Sequence, residues 1–140
     1  TDRQGRDVGC LLFGAAAWTC APRDRKLGWS SPPRQRELWR VANNTRFLIL
    51  PWIGVKHLAS HLLGAVARQI DADWRGKYGH EVDWLETFVD RERFRGSCYR
   101  AANWECVGQT RGRSRQDRAH RLQVPIKDVY LYDLKNRRQR

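Results

Sequence analysis

The chain has 140 residues, 41% hydrophobic and 11% aromatic, which suits a single domain with a real core and disfavours wholesale disorder. Its longest apolar run, residues 10–18, is too short to cross a membrane, so no membrane partner is expected. The net charge is +12, and 22 of the 27 basic residues are arginines, whose planar fork suits phosphate contacts; this balance favours a polyanionic partner.

The N-terminal third of the chain is predicted to hold one strand and one short helix. Residues 8–20 are mostly apolar and of strand length, and the polar stretch 21–31 is predicted to be a loop. Pro32 and Pro33 stand where a helix can begin, with residues 35–41 as its body.

The middle of the chain contains the clearest pattern. Asn43 and Asn44 are typical of a turn that closes the preceding helix. Residues 46–52 (RFLILPW) form a continuous apolar run that predicts a central strand buried on both faces. Apolar residues then recur at helical spacing over 55–70, which predicts an amphipathic helix.

The second half of the chain is predicted to complete a sheet. A polar connection over 71–81 leads to a strand at 82–89, which a right-handed crossover makes parallel to the first central strand. The remaining predicted elements are a short helix within 94–102, a strand at 104–110, an arginine-dense loop at 110–121 and a final strand at 127–134. Residues 1–134 are therefore interpreted as one domain, and 135–140 as a basic tail.

The four cysteines, Cys10, Cys20, Cys98 and Cys106, show no C-x-x-C spacing. This pattern argues against a zinc site or a disulfide framework. The first nine residues are polar and resemble no secretory leader. Together these observations predict reduced thiols in a cytoplasmic protein.

The stretch from Tyr99 to Thr110, YRAANWECVGQT, resembles the C-terminal half of the GNAT acyltransferase fold. In that fold a short helix closes on Tyr-x-x-x-Gly-Phe before the next strand. Here Asn103 stands at the glycine position and Trp104 at the phenylalanine position. The resemblance implies an α/β domain with a GNAT-like mixed sheet flanked by helices, truncated at the N-terminus.

A second resemblance spans almost the whole chain. The phrases APRDRKLGW, NNTRFLILPW, HLASHLL, LETFVD, FRGSCYRAANW and VGQTRGR are similar to the DruA family, which is associated with the Druantia anti-phage system and with transposases. The resemblance implies a prokaryotic defence or mobile-element setting. DNA is then the natural partner, with other defence or transposition proteins beside it.

The densest charge in the sequence is an arginine strip, residues 111–121 (RGRSRQDRAHR). Gly112 and Ser114 separate its charges, so the strip can follow a phosphate backbone. A solvated charged loop is the alternative interpretation. The residues predicted to contact nucleic acid are Arg100, Arg111, Arg113, Arg115, Arg118 and Arg121.

Three residues are candidates for catalysis: Glu86, Tyr99 and His57. Glu86 is predicted to face apolar neighbours on the strand 82–89, where a carboxylate must be paired or used; its candidate partners are Arg46, Arg100 and His57. Tyr99 matches the tyrosine that acts as general acid in many GNAT enzymes. The structural alternative for Glu86 is a buried ion pair, and the structural alternative for Tyr99 is ordinary packing.

The cofactor, if any, is not fixed by the sequence. His57 and His61 share a helix face, but spacing supplies no third ligand, and no metal-binding residue is assigned. Magnesium stays open as the ion of a two-carboxylate nuclease site built from Glu86 and Asp90. Acyl-CoA is not expected, because Gly54 and His57 depart from the GNAT diphosphate-binding pattern and only Ala59 fits.

Three functions remain open at this point. The leading prediction is a DNA-associated protein of phage defence or of a mobile element that binds nucleic acid through the arginine strip. An enzyme acting on nucleic acid, either a magnesium-dependent nuclease or a GNAT-like group transferase, is the second. A basic protein-interaction module of a defence complex is the third.

Overall fold

The computed structural model describes residues 1–30, 35–50, 52–92, 95–110 and 125–135. Its elements, in chain order, are β1 (Gly9–Ala15), α1 (Ala21–Leu27), a 3-10 turn (Leu38–Arg40), β2 (Val41–Ile49), α2 (Leu58–Tyr78), β3 (Trp84–Asp90), α3 (Ser97–Ala101), β4 (Glu105–Gln109) and β5 (Lys127–Asp133).

The five strands form one mixed sheet in the order β1-β2-β3-β5-β4. β2 and β3 run parallel, as the crossover through α2 requires, and the other neighbouring pairs are antiparallel. The predicted α/β class, a mixed sheet flanked by helices, is confirmed. In the described part of the chain no helix is long and apolar enough to cross a membrane.

The main core lies between the sheet and α2. Leu63, Ala67 and Ile70 of α2 are buried against the sheet in one cluster with Ala42 and Leu85. The smaller helix α1 contacts β4 and β5, and it joins the sheet through the buried side chain of Arg23. Because directly paired residues share a sheet face, Asn43 and Glu86 lie together on the α1 side.

The structure corrects four local predictions. The stretch predicted as a loop over 21–31 contains α1, whose stop signal is Gly28 in the left-handed conformation at φ 71°. The predicted polar connection over 71–81 is largely helical, since α2 continues to Tyr78. Trp74 and Tyr78 lie four residues apart on this last part of the helix, and their ring centroids are 4.6 Å apart.

The third and fourth corrections concern β2. Asn43 and Asn44 do not form a turn; both are buried within the strand, because tertiary hydrogen bonds to their side chains outweigh their preference for turns. The predicted central strand 46–52 is also wrong in position. β3 is the central strand, and Leu48 of β2 is 54% exposed because α1 does not extend over this part of the sheet.

A β-bulge divides β2 into two parts. Leu12 of β1 pairs with Arg46 and Phe13 pairs with Asn44, so Thr45 has no cross-strand partner. A bulge bends its strand and increases its twist. β2 and β3 pair at only three positions, which end at Asn43 and Glu86, and the two strands diverge beyond the bulge.

Candidate functional site: a cleft between two diverging strands

Glu86 lies at the centre of a buried polar cluster on the α1 side of the sheet. Its side chain has no exposed surface, and neither has that of Arg23, whose Nη1 donates to Glu86 Oε2 at 2.9 Å. The other carboxylate oxygen, Oε1, accepts from the backbone N–H of Ala17 at 2.8 Å and from Asn43 Nδ2 at 3.1 Å. The carboxylate is thus fully engaged by donors of the protein.

Arg23 is held by its Nε and Nη1, while its Nη2 is buried without a hydrogen-bond partner in the described structure. It also donates to the Ala17 carbonyl at 2.7 Å and to Asp24 Oδ1 at 3.1 Å. Burial disfavours the charged guanidinium, but the neighbouring carboxylates outweigh this effect and the pKa of Arg23 is raised. The structural alternative for Glu86, a buried ion pair, is therefore present. Arg46, Arg100 and His57 are not its partners.

Tyr99 lies on the opposite, α2 side of the sheet. Its hydroxyl donates to Asn44 Oδ1 at 2.7 Å, and its ring stacks on Tyr130 with centroids 5.7 Å apart. Burial raises the pKa of the Tyr99 hydroxyl, so the neutral, proton-carrying form is favoured. That is the form a general acid needs, although a buried tyrosine in a core has the same property.

The diverging strands leave a cleft of about 560 Å³. Residues 44–49 of β2 form one wall and residues 87–89 of β3 the other, with Ala59 of α2 and Gly96, Cys98 and Tyr99 around α3. Tyr99 and Thr87 lie at its floor, where Thr87 Oγ1 donates to the Asn44 carbonyl at 3.0 Å. A volume of this size suits a small organic ligand or part of a larger one.

The structure does not bring the three candidate catalytic residues together. Tyr99 lines the cleft, whereas Glu86 is buried on the other side of the sheet. His57 is an exposed residue at the start of α2, two positions before Ala59. Any chemistry in the cleft would therefore use Tyr99 without Glu86, and the catalytic roles of all three residues stay predictions.

The turn before α2 does not fit a diphosphate. His57 adopts the left-handed conformation that glycine prefers, at φ 59°, so the backbone has the glycine-like shape but carries an imidazole. Its carbonyl accepts from the His61 N–H and from Ser60 Oγ. An imidazole at the N-cap adds bulk at the end of the helix that would bind a diphosphate through its free backbone N–H groups, and no step is assigned to acyl-CoA.

Metal ligands are not assembled in the parts of the chain that the structure describes, where no three His, Cys, Asp or Glu side chains are grouped to hold an ion. Asp90 ends β3, and its carboxylate accepts from the backbone N–H of Glu92. Glu86, the other half of the predicted magnesium site, is already engaged by Arg23. All four cysteines are free thiols, two of them exposed.

The arginine strip, residues 111–121, lies outside the described residues. The residues that flank the segment 111–126, Thr110 and Lys127, are described. Thr110 and Lys127 pair with each other: Thr110 N–H donates to the Lys127 carbonyl at 2.8 Å, and Lys127 N–H donates to Thr110 Oγ1 at 2.9 Å. Lys127 pairs in turn with Asp90 at the end of β3. The segment 111–126 therefore starts and ends at the edge of the sheet toward which the cleft opens.

Two further arginines lie near that edge. Arg91 follows β3 directly and holds Asp128 with two hydrogen bonds, of 3.0 and 2.8 Å, while 64% of its side chain stays exposed. Arg100, a predicted contact residue, is exposed on α3 and donates to the Tyr130 hydroxyl at 3.2 Å.

Sequence analysis missed Arg23, Asn43 and Asn44 as structural partners of the candidate residues. A signal for Arg23 was present, since Pro22 and Gly28 bracket it with helix start and stop residues. No comparable signal marked the two asparagines. Their roles depend on the pairing of β2 with β3 and on the packing of α3, which lie far apart in sequence.

The fold and the site define a basic α/β protein with a parallel, splayed strand pair and an adjoining cleft. The chain matches the family model of Druantia protein DruA over residues 1–137 and belongs to the DruA family. Membership of that family associates the chain with the Druantia anti-phage system. No curated protein matches it.

Among solved structures, the chain is similar to one described as an acetyltransferase from Sphaerobacter thermophilus DSM 20745. The two are 16% identical, with a TM-score of 0.34, and the similarity covers 67% of this chain and 54% of the other. The chain thus spans about half the length of that neighbour. At this TM-score the similarity supports no inference about activity.

Proposed function

We propose that this chain is a nucleic-acid-binding protein, with DNA as its partner, that serves an anti-phage defence system or a mobile element. The arginine strip is its main contact surface. The family membership supports the defence setting. The observation that carries the binding role is the concentration of positive charge between β4 and β5, in a chain of net charge +12.

The described ends of the segment support this role. The segment 111–126 is tied at both ends by the hydrogen bonds between Thr110 and Lys127, so a strand bound to it is held beside the sheet. Arg91 and Arg100 lie exposed near the same edge and can extend the contact to further phosphates. Phosphate contacts of this kind provide affinity without reading sequence.

The test is a salt series with labelled single- and double-stranded DNA and RNA. Duplex affinity falls with salt with a logarithmic slope of about −0.9 per neutralised phosphate. The strip variant replaces Arg111, Arg113, Arg115, Arg118 and Arg121 by glutamine. We expect it to lose up to about 4 units of that slope and at least tenfold in affinity at about 100 mM salt.

A matched control removes the same charge elsewhere, at five exposed residues that neither line the cleft nor belong to the strip: Arg3, Arg6, Arg36, Arg68 and Lys77. This control variant should keep most of the wild-type slope, since a localised contact depends on position as well as on charge. An equal loss in both variants, or no binding by the wild type at about 150 mM salt, contradicts the proposal.

The second candidate is an enzyme acting on nucleic acid, and the cleft with the Tyr99 hydroxyl at its floor is the observation that favours it. The same experiment, run with and without magnesium, separates the two. Intact oligonucleotide after binding supports the binding role alone. Cleavage, or a change in oligonucleotide mass that Tyr99→Phe abolishes without loss of affinity, supports the enzyme.

A further inference from the structure

The cleft and the two described ends of the segment that carries the arginine strip lie at the same end of the sheet. β2 and β3 are parallel and diverge toward their C-terminal ends, where residues 44–49 and 87–89 form the cleft walls. The segment is flanked by Thr110 and Lys127, which are hydrogen-bonded to each other, and Lys127 pairs with Asp90 at the C-terminal end of β3. Positive charge is therefore attached to the sheet at the end where the cleft lies.

The lining of the cleft is apolar and aromatic. Phe47 and Tyr99 contribute rings that meet edge to face with centroids 6.3 Å apart, and Ala59 and Cys98 contribute small side chains. Aromatic side chains stack on bases with little preference for sequence, because every base has a π-face. The cleft, with a volume of about 560 Å³, is larger than one nucleobase with its sugar, so a base fits into it.

Hydrogen-bonding groups face the cleft from the two strands. Beyond Asn43 and Glu86 no strand in the described residues pairs with the inner edges of β2 and β3; Thr87 Oγ1 donates to the Asn44 carbonyl and Asn44 Nδ2 donates to the Arg46 carbonyl. The edge of a base carries both donors and acceptors, which the remaining peptide groups of these edges can meet. Arg46 also lines the cleft, and its exposed guanidinium has no ion-pair partner among the described residues, so a phosphate can meet it.

We propose that the cleft between β2 and β3 receives an unstacked nucleobase of the strand that the arginine strip holds. The bound strand in this inference rests on the proposed function, whereas the base site rests on the geometry of the cleft. Unstacking a base is least costly in single strands and at mismatches or damage, so the protein should prefer these to intact duplex.

The first test uses a free nucleoside 5′-monophosphate, which does not need the strip. At millimolar concentration it should shift the backbone amide resonances of residues 45–49 and 87–89, and inorganic phosphate at the same concentration should not. Ala59→Phe fills the cleft and should abolish the shifts; Phe47→Leu, which removes one stacking ring, is the second variant and should weaken them. Thermal unfolding of both variants shows whether they remain folded.

The second test compares a short single strand with an abasic strand of equal length and therefore equal charge. Stacking of one base contributes about 1–3 kcal/mol, so the wild type should bind the base-bearing strand at least fivefold more tightly. Ala59→Phe should lower that ratio toward one and leave the affinity for the abasic strand unchanged. The strip variant should weaken binding of both strands and keep the ratio.

The outcomes separate the two proposals. A wild-type ratio of one, with steep salt dependence, overturns the base site and leaves the binding role standing. If the monophosphate shifts the cleft amides but no strand binds, the cleft is a nucleotide site and the proposed function is wrong. If only an extended peptide shifts the cleft amides, the site is a peptide site and this inference is wrong.

Discussion

Arg23 and Glu86 show what a single buried pair does in this molecule. Neither side chain reaches solvent, and the Ala17 backbone, Asn43 and Asp24 make further hydrogen bonds to the pair, while Arg23 Nη2 is buried without a hydrogen-bond partner in the described structure. Removing two charges from water is costly, and good geometry with additional hydrogen bonds is needed to offset that cost. The pair ties α1 and the segment after β1 to the central strand.

Replacing Glu86 by glutamine should lower the free energy of unfolding by about 3–5 kcal/mol, because it leaves the Arg23 charge buried and uncompensated. Urea unfolding measures the change. The control is Glu105→Gln, which removes the exposed partner of Lys26 and should cost less than about 1 kcal/mol. A Glu86→Gln protein as stable as the control would show that the pair is not a structural tie.

Stability should fall in alkaline solution because of three buried groups. Burial raises the pKa of the Cys20 and Cys98 thiols above their ordinary 9.0 and that of the Tyr99 hydroxyl above 10.0. The folded state then holds these protons more tightly than the unfolded chain does. Their contribution is complete below about pH 9 and is lost as the pH rises through the folded-state values.

Chemical unfolding at pH 7, 9 and 10 measures this loss. Cys20→Ala should flatten the decrease between pH 9 and 10, since the buried thiol is gone, whereas alanine at the exposed Cys10 should leave the decrease unchanged. Stability that rises over this range would contradict the assignment.

At the scale of elements, glycine Gly96 begins α3 in the left-handed conformation at φ 69°. A Cβ there would lie 2.6 Å from the hydroxyl of Tyr130, which is itself buried. Gly96→Ala should cost at least about 2 kcal/mol from backbone strain and the clash together. Because Gly96 also lines the cleft, any ligand affinity should fall with it.

The matched control is Gly64→Ala within α2. A Cβ at Gly64 would make only an ordinary contact, 3.7 Å from the end of the Arg68 side chain. Alanine should stabilise the helix by about 0.5–1 kcal/mol. Thermal or urea unfolding of the two variants should therefore move in opposite directions, and a loss of stability in both would contradict this account of Gly96.

The elements also show how much of the fold could be predicted from the sequence alone. Strands β3, β4 and β5 were predicted within two residues, and the long helix α2 was identified but ended eight residues too early, since periodic apolar spacing is a local signal and the last two turns of the helix are largely polar. β2 was misplaced because its N-terminal half reads polar: Asn43 and Asn44 are buried only through partners from distant segments. The bulge at Thr45 left no local signal, and without it the cleft could not be predicted.

The candidate site divides in the same way. Tyr99 was identified from a short motif, and the structure places it in the cleft. Glu86 was identified as a carboxylate in apolar surroundings, but its partner, Arg23, was not among the predicted candidates Arg46, Arg100 and His57. The choice between partners depended on which side of the sheet each residue faces, and the bulge places Arg46 beyond the paired segment.

At the scale of the whole molecule, the net charge of +12 affects folding as well as binding. Repulsion among like charges destabilises the compact state, and salt screens it over a Debye length of about 10 Å at 0.1 M. The unfolding temperature should therefore rise by roughly 3–5 °C between about 20 and 300 mM potassium chloride. Calorimetry tests this, and a fall would show that attractive pairs dominate.

The three-residue seam between β2 and β3 has a consequence for how the molecule opens. In the described sheet this seam is the one strand pairing between the antiparallel pair β1–β2 and the group β3–β5–β4. The two halves can thus behave as separate cooperative units that part along the seam before either unfolds. Amide hydrogens of residues 41–43 should then exchange with solvent sooner than those between β3 and β5. A molecule bound in the cleft would contact both halves, and the exchange of these amide hydrogens should then be slower.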